Sequence, residues 1–150
     1  MKDEIPFWVT FDGVNLPKNA VVGGKYKGQK VFIGRAHHEG SLTPGMVLEN
    51  EKVLVIPWGC VSNRKDDFEI LCSEGDANWA IADSGSYPQN AFRCGYSEVY
   101  SEPLYVGRYR HEESLVCGKI QVRFLRNNKN RTVFNLFCFT AKSSSLLYSL

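Results

Sequence analysis

The run Gly34-Arg35-Ala36-His37-His38-Glu39-Gly40 puts two imidazoles and a carboxylate in consecutive positions. Histidine and glutamate are ligands of catalytic zinc, so metal chemistry is the first question the chain raises. The spacing argues against it. Neighbouring residues on a strand point to opposite faces, so both rings cannot easily reach one ion. Zinc motifs on helices set their histidines four apart to bring them onto one face. Downstream, Arg110-His111-Glu112 returns only the second histidine and the glutamate. The run is therefore expected to be the exposed end of a hairpin, with no metal ligand and no cofactor. Other catalytic patterns are missing too. There is no G-x-S-x-G, no Ser or Cys tied to a His at a known spacing, and Gly23, Gly24 and Gly28 do not precede a helix. The expectation is a protein that is not an enzyme.

Composition narrows the class further. Apolar residues make up 43% and aromatics 13% of 150 residues, enough to build a core. Eighteen basic against sixteen acidic side chains leave a net charge of +2, too little to argue for nucleic acid or an anionic membrane. The densest basic stretch, Arg123 to Arg131, reads as a solvated hairpin end. The start MKDEIPFWVTF has acids where a secretory leader needs an apolar run, and no transmembrane segment is evident. Read that way, the chain is expected in the cytoplasm, with a leaderless route if it is released. Its five cysteines are widely spaced with no C-x-x-C, so free thiols are expected.

The elements that must carry these residues look like strands. Runs such as FWVTF, KVFIGRA, KVLVIPW, DFEILC, NWAIA, PLYVGRY, KIQVRFL and TVFNLFCFTA are rich in β-branched and aromatic residues and are bounded by Gly, Pro, Asn and Ser. No window keeps helical periodicity. Asn50 to Lys52 and RNNKNR read as hairpin turns, and KSSSLLYSL as a last strand.

An internal repeat organises these strands. Trp8, Asp12, Pro17, Asn19, Ala20 and Gly24 recur as Trp79, Asp83, Pro88, Asn90, Ala91 and Gly95, at an offset of 71. Gly34, Arg35, His38, Glu39, Ser41, Leu42 and Gly45 recur as Gly107, Arg108, His111, Glu112, Ser114, Leu115 and Gly118, at an offset of 73. Two residues must be inserted between these blocks in the second copy. Neither half could bury much core alone. The expected architecture is all-β: two intertwined tandem repeats with pseudo-twofold symmetry, forming antiparallel sheets around one shared core. A single domain over 1–150 would contain repeat one (about 5–73) and repeat two (about 76–150).

The motif W-x8-P-x-N-A, a following Gly, a strand ending G-R-A and an S-L-T-P-G turn together resemble the DM-nine repeat family. VIPWG and DFEIL are similar to two further segments of that family. The resemblance covers nearly the whole chain and weakens in the last third of repeat two. It implies a carbohydrate-binding role, because the family includes mannose-binding lectins of pathogen recognition, and it implies no catalytic activity. In such lectins a carboxylate after the first Gly block works with a lysine closing a P-G-K turn. Charge-assisted bonds to paired sugar hydroxyls explain that choice.

Carried over, repeat one has Tyr26 at the carboxylate position and Met46 at the lysine position, so both charges are gone. Repeat two keeps Lys119 and has Ser97, followed by Glu98, at the carboxylate position. The candidate ligand residues are therefore Lys119, Glu98, Ser97, Tyr96 and Glu113, with a degenerate site at Lys25, Tyr26 and Met46. One shallow site would bind weakly, so a homodimer or larger assembly is expected to supply avidity. The competing reading is an interaction or self-association module whose sugar site has decayed. Trp8 and Trp79 are expected in the core, Arg35 and Arg108 in structural contacts, and Asp12 and Asp83 as turn caps. Trp58 and Tyr96 are the expected exposed rings.

Overall fold

The structure is a computed structural model that describes residues 5–59, 61–75, 77–83, 91–124, 130–135 and 143–148. Among them there is no helix. Thirteen strands follow in chain order: β1 (Phe7–Thr10), β2 (Val22–Tyr26), β3 (Gln29–His38), β4 (Ser41–Leu48), β5 (Val53–Trp58), β6 (Val61–Lys65), β7 (Glu69–Cys72), β8 (Asn78–Asp83), β9 (Arg93–Tyr96), β10 (Pro103–His111), β11 (Ser114–Phe124), β12 (Asn130–Asn135) and β13 (Ser143–Tyr148). All pairings are antiparallel within one large sheet. The expected strands are present, including the last one, and the turn at Asn50–Lys52 joins β4 to β5. The RNNKNR turn falls largely outside the described residues. So do Pro88, Asn90, Cys60, Cys138 and the second half of TVFNLFCFTA.

The strand pairings of the two repeats are reciprocal. β1 pairs with β7 and β7 with β3, just as β8 pairs with β13 and β13 with β10. The cross-repeat contacts match as well. Lys25 in β2 pairs with Leu115 in β11, and Tyr96 in β9 pairs with Leu42 in β4. Each Gly-rich strand thus pairs with its own repeat and meets the other repeat at one residue pair, which is consistent with the expected intertwining. Both strands carry a register shift, in β2 between Val22 and Gly24 and in β9 opposite Leu104/Tyr105, and such irregularities kink a strand locally. The glycines here answer a steric demand. A Cβ on Gly24 would overlap the Leu115 carbonyl oxygen, and one on Gly95 would overlap that of Leu42.

One expectation is corrected. Ser41-Leu42-Thr43-Pro44-Gly45 is not a turn; it lies within β4, whose eight residues are all buried. One edge of β4 is shared between two partners. β9 reaches it at Leu42, and β5 takes over from Met46 to Leu48. Pro44, which has no N–H to donate, falls in the gap between them. Gly45 is needed because a Cβ there would overlap the Val55 carbonyl oxygen.

The main core draws on both repeats. Val31, Ile33, Met46, Val55 and Leu71 pack with Cys94, Val106, Val116, Cys117 and Ile120. A second cluster, with Phe32, Val47, Leu54, Ile56, Phe68 and Ile70, belongs to repeat one. No helix among the described residues is long and apolar enough to cross a membrane.

Candidate functional site

His37 and His38 end β3, paired with Leu42 and Ser41, and Glu39 and Gly40 turn the chain with φ of 48° and 80°. His37 is exposed, while His38 is half-buried with its ring edge on Trp58, 4.9 Å between centroids. The run is a hairpin end, as its spacing implies. Among the described residues, no three His, Cys, Asp or Glu side chains are placed to hold a metal ion.

The polar chemistry lies elsewhere. Lys119 sits mid-strand in β11, with Val106 and Asn135 as its Cα partners, and is only 7% exposed. Gln121, two residues on and therefore on the same face, is also buried. Its Nε2 donates to Glu102 Oε2 at 2.6 Å. The Glu102 backbone carbonyl accepts from Ser97 N–H at 2.9 Å, and Ser97 Oγ donates to the Val99 carbonyl at 2.7 Å. Ser97 and Glu102 are buried as well. Tyr96 and the exposed Glu98 stand at the edge of this group, with Glu98 beside Gly40 of the first hairpin. Ser97 just past β9, Glu102 just before β10, and Lys119 and Gln121 in β11 are thus four buried polar residues in a row, with Gln121 and Glu102 joined side chain to side chain. Buried polar groups are costly unless satisfied, so a row of this kind is not packing by default.

The structure regroups the expected residues. Glu113 is exposed, and it lies in the β10–β11 hairpin beside β2, not beside Tyr96 and Glu98. Leu115 pairs with Lys25 there, and Lys27 N–H donates to Ser114 Oγ at 3.3 Å. Each Gly-block strand therefore meets the hairpin of the other repeat, so a division of the site by repeat does not hold. Met46 is 2% exposed in the shared core, and Tyr26 packs against that core. The repeat-one position is filled by packing. Glu102 and Gln121 were not expected from the sequence. The insertion itself was the available signal, because the two extra residues fall in the β9–β10 loop that precedes Glu102.

That loop also exposes Tyr100 to 94% and holds Tyr100 and Ser101 at φ of 54° and 49°. Repeat one makes its shorter turn with Lys27 and Gly28. Left-handed backbone is uncommon for a bulky residue; here the turn is closed by the Glu102 N–H donating to the Val99 carbonyl at 3.3 Å.

The remaining matched residues are structural. Arg35 stacks on Trp8 with 3.9 Å from Cζ to the ring centroid, donates Nε to Glu69 Oε1 at 3.1 Å, and reaches the Cys94 carbonyl at 3.3 Å. Arg108 stacks on Trp79 at 4.1 Å, and burial lowers its pKa. Both tryptophans pack against the shared core. Asp12 caps its turn, accepting from Asn15 and Val14 N–H, and these bonds hold its carboxyl below the usual range. Cys72, Cys94 and Cys117 are free and buried; burial pushes the thiols of Cys94 and Cys117 up to about 12.

Against this geometry, the model of the DM9 repeat matches residues 2–60 and again residues 25–124. The chain belongs to the DM9 repeat family. Two overlapping matches are consistent with tandem DM9 repeats. No curated protein matches the chain.

Proposed function

We propose that this DM9 protein is a non-catalytic carbohydrate-binding module for mannose-type glycans, with its working site in the β9–β11 region. The buried polar row Ser97–Glu102–Gln121–Lys119 carries this reading. An ammonium and a carboxylate held on one face offer a donor and an acceptor to vicinal hydroxyls, the pairing a sugar presents. Tyr96, Glu98 and the projecting Tyr100 would form the rim, the aromatic rings supplying apolar area for a sugar face. Lys25, Tyr26 and Glu113 at the other hairpin have no such row behind them, since Met46 and Leu48 are core residues there. One site of this depth would bind a monosaccharide weakly, and a homodimer would raise avidity. Pattern recognition in innate immunity is a role that fits such a module.

A second reading has one observation in its favour. The apolar filling of the repeat-one position leaves a single candidate sugar site, which suits an interaction or self-association module on the same scaffold. Calorimetric titration with mannose and a branched mannose oligosaccharide separates the two, using the parent protein, Lys119→Met and Glu102→Gln. Saturable binding abolished by both substitutions is the expected result. No heat with either sugar from folded protein at high concentration removes the glycan reading and leaves the interaction module.

A further inference from the structure

Arg35 and Arg108 occupy matched positions, and each lies over the indole of a matched tryptophan. Their cross-strand partners differ. Arg35 faces Glu69 in β7, which closes an ion pair. Arg108 is the register partner of Ser145 in β13, a residue type without charge. Among the described residues Arg108 has no ion pair. The cation that repeat one neutralises internally thus meets no carboxylate in an ion pair among the described residues of repeat two.

That cation lines a groove of about 660 Å³ together with Trp79, Lys18, Asn19, Ser73 and Glu74. Lys18 is exposed and adds a second positive charge. Glu74 is engaged by Asn19 Nδ2 at 3.1 Å, and the Asn19 carbonyl accepts from Ser73 N–H, so these lining residues brace one another. The groove thus combines a half-buried guanidinium, an ammonium, an indole and several short hydrogen-bonding side chains. Its volume falls within the range of small-ligand sites.

We propose that this groove is a second binding site that takes a carboxylate-bearing saccharide unit, a sugar of the uronic acid class. The ligand's carboxylate would occupy, on Arg108, the place that Glu69 fills on Arg35. Guanidinium and carboxylate match as planar, multidentate partners, which favours a carboxylate over a point anion. Lys18 would hold the same charge from the solvent side. Asn19, Ser73 and Glu74 offer donors and acceptors to ring hydroxyls, and the indole of Trp79 offers apolar area. The site is separate from the β9–β11 row and does not depend on Lys119.

Amide and indole NMR spectra of the full chain, titrated with glucuronate, glucose and acetate, test the proposal. Trp8 serves as the internal control, because its arginine is already paired. Glucuronate is expected to shift the Trp79 indole and the amides around Asn19 and Ser73, and to leave the Trp8 indole unmoved. Glucose and acetate are expected to act at least tenfold more weakly. Lys18→Ala should weaken glucuronate binding about tenfold, the scale of one charge-assisted hydrogen bond. Ser145→Glu, which restores to repeat two the carboxylate of repeat one, should abolish it, while Lys119→Met should leave it unchanged. If Ser145→Glu fails to fold, Lys18→Ala and the Trp79-against-Trp8 contrast still decide. No shift at Trp79 with tens of millimolar glucuronate overturns the site. An equal response to glucose or acetate overturns the ligand class.

Discussion

The two faces of β4 and β11 that end in Met46–Leu48 and in Lys119–Gln121 are the same place in the two repeats, yet one is core and the other a buried polar row. The cross-repeat seam shows the opposite behaviour. Gly24 over Leu115 and Gly95 over Leu42 are alike in residue, pairing and contact. The halves are equal where each holds the other and differ in the side chains of these strand faces. A seam made by backbone-to-backbone approach tolerates no side chain, whereas a strand face accepts any set of side chains that fills the volume and satisfies its polar atoms.

The largest effect is expected at the seam. Gly24→Val and Gly95→Val should each cost more than about 3 kcal/mol in urea unfolding, because the new side chain meets a carbonyl oxygen with no room to move. Similar losses at both positions are expected; tolerance of either one would break the equivalence of the seam.

Next comes an exchange of the divergent residues. Met46→Lys places an ammonium in the apolar core and should cost about 3 kcal/mol. Lys119→Met gives up an interaction that the ammonium makes in the fold and should cost about 1 to 2 kcal/mol, less than Met46→Lys. If the two substitutions cost the same, the polar row has a mainly structural role.

The cysteines sharpen the contrast further, because Cys94 and Cys117 stand where repeat one has Gly23 and Pro44. Both thiols titrate near 12 in the fold against 9.0 ordinarily, so the unfolded chain loses its protons first. Their contribution is fully present below pH 9 and is lost as pH rises towards 12. Each should remove about 1.4 kcal/mol of stability per pH unit in that window. Denaturation curves at stepped alkaline pH measure it, and Cys94→Ala should reduce the slope. A flat profile would mean that the thiols are open to water.

The smallest effect is expected from Glu69→Ser, which gives Arg35 the partner that Arg108 has. The ion pair is partly exposed, so a loss of about 1 kcal/mol is expected in thermal or urea unfolding. A loss above about 3 kcal/mol would show that the two arginines are not in comparable settings.

Strand existence, the tandem repeat and the hairpin at His37-His38 were legible from the chain, because alternation, β-branched runs and Gly or Asn punctuation are local signals. Ser41 to Gly45 misled for a physical reason. Pro and Gly ordinarily mark turns, but here they answer a strand whose edge is divided between β9 and β5, and no local pattern records who the neighbours are. Lys119 and Ser97 could be named from their place in the repeat. Glu102 and Gln121 could not, since their partnership spans the β10–β11 register and a loop whose insertion shows in sequence only as a change of offset.

The sequence by itself therefore determined the class of fold, the doubling of the chain and the apolar Met46 where repeat two has Lys119. Pairing between the repeats, the assignment of Glu113 to the opposite hairpin and the burial of the polar row were decided only in three dimensions. The reason is the same in each case. Residue type and spacing act over a few positions, whereas which strand lies beside which, and whose carboxylate faces whose arginine, depends on contacts such as Lys25–Leu115, Leu42–Tyr96 and Arg35–Glu69 between residues far apart in the chain.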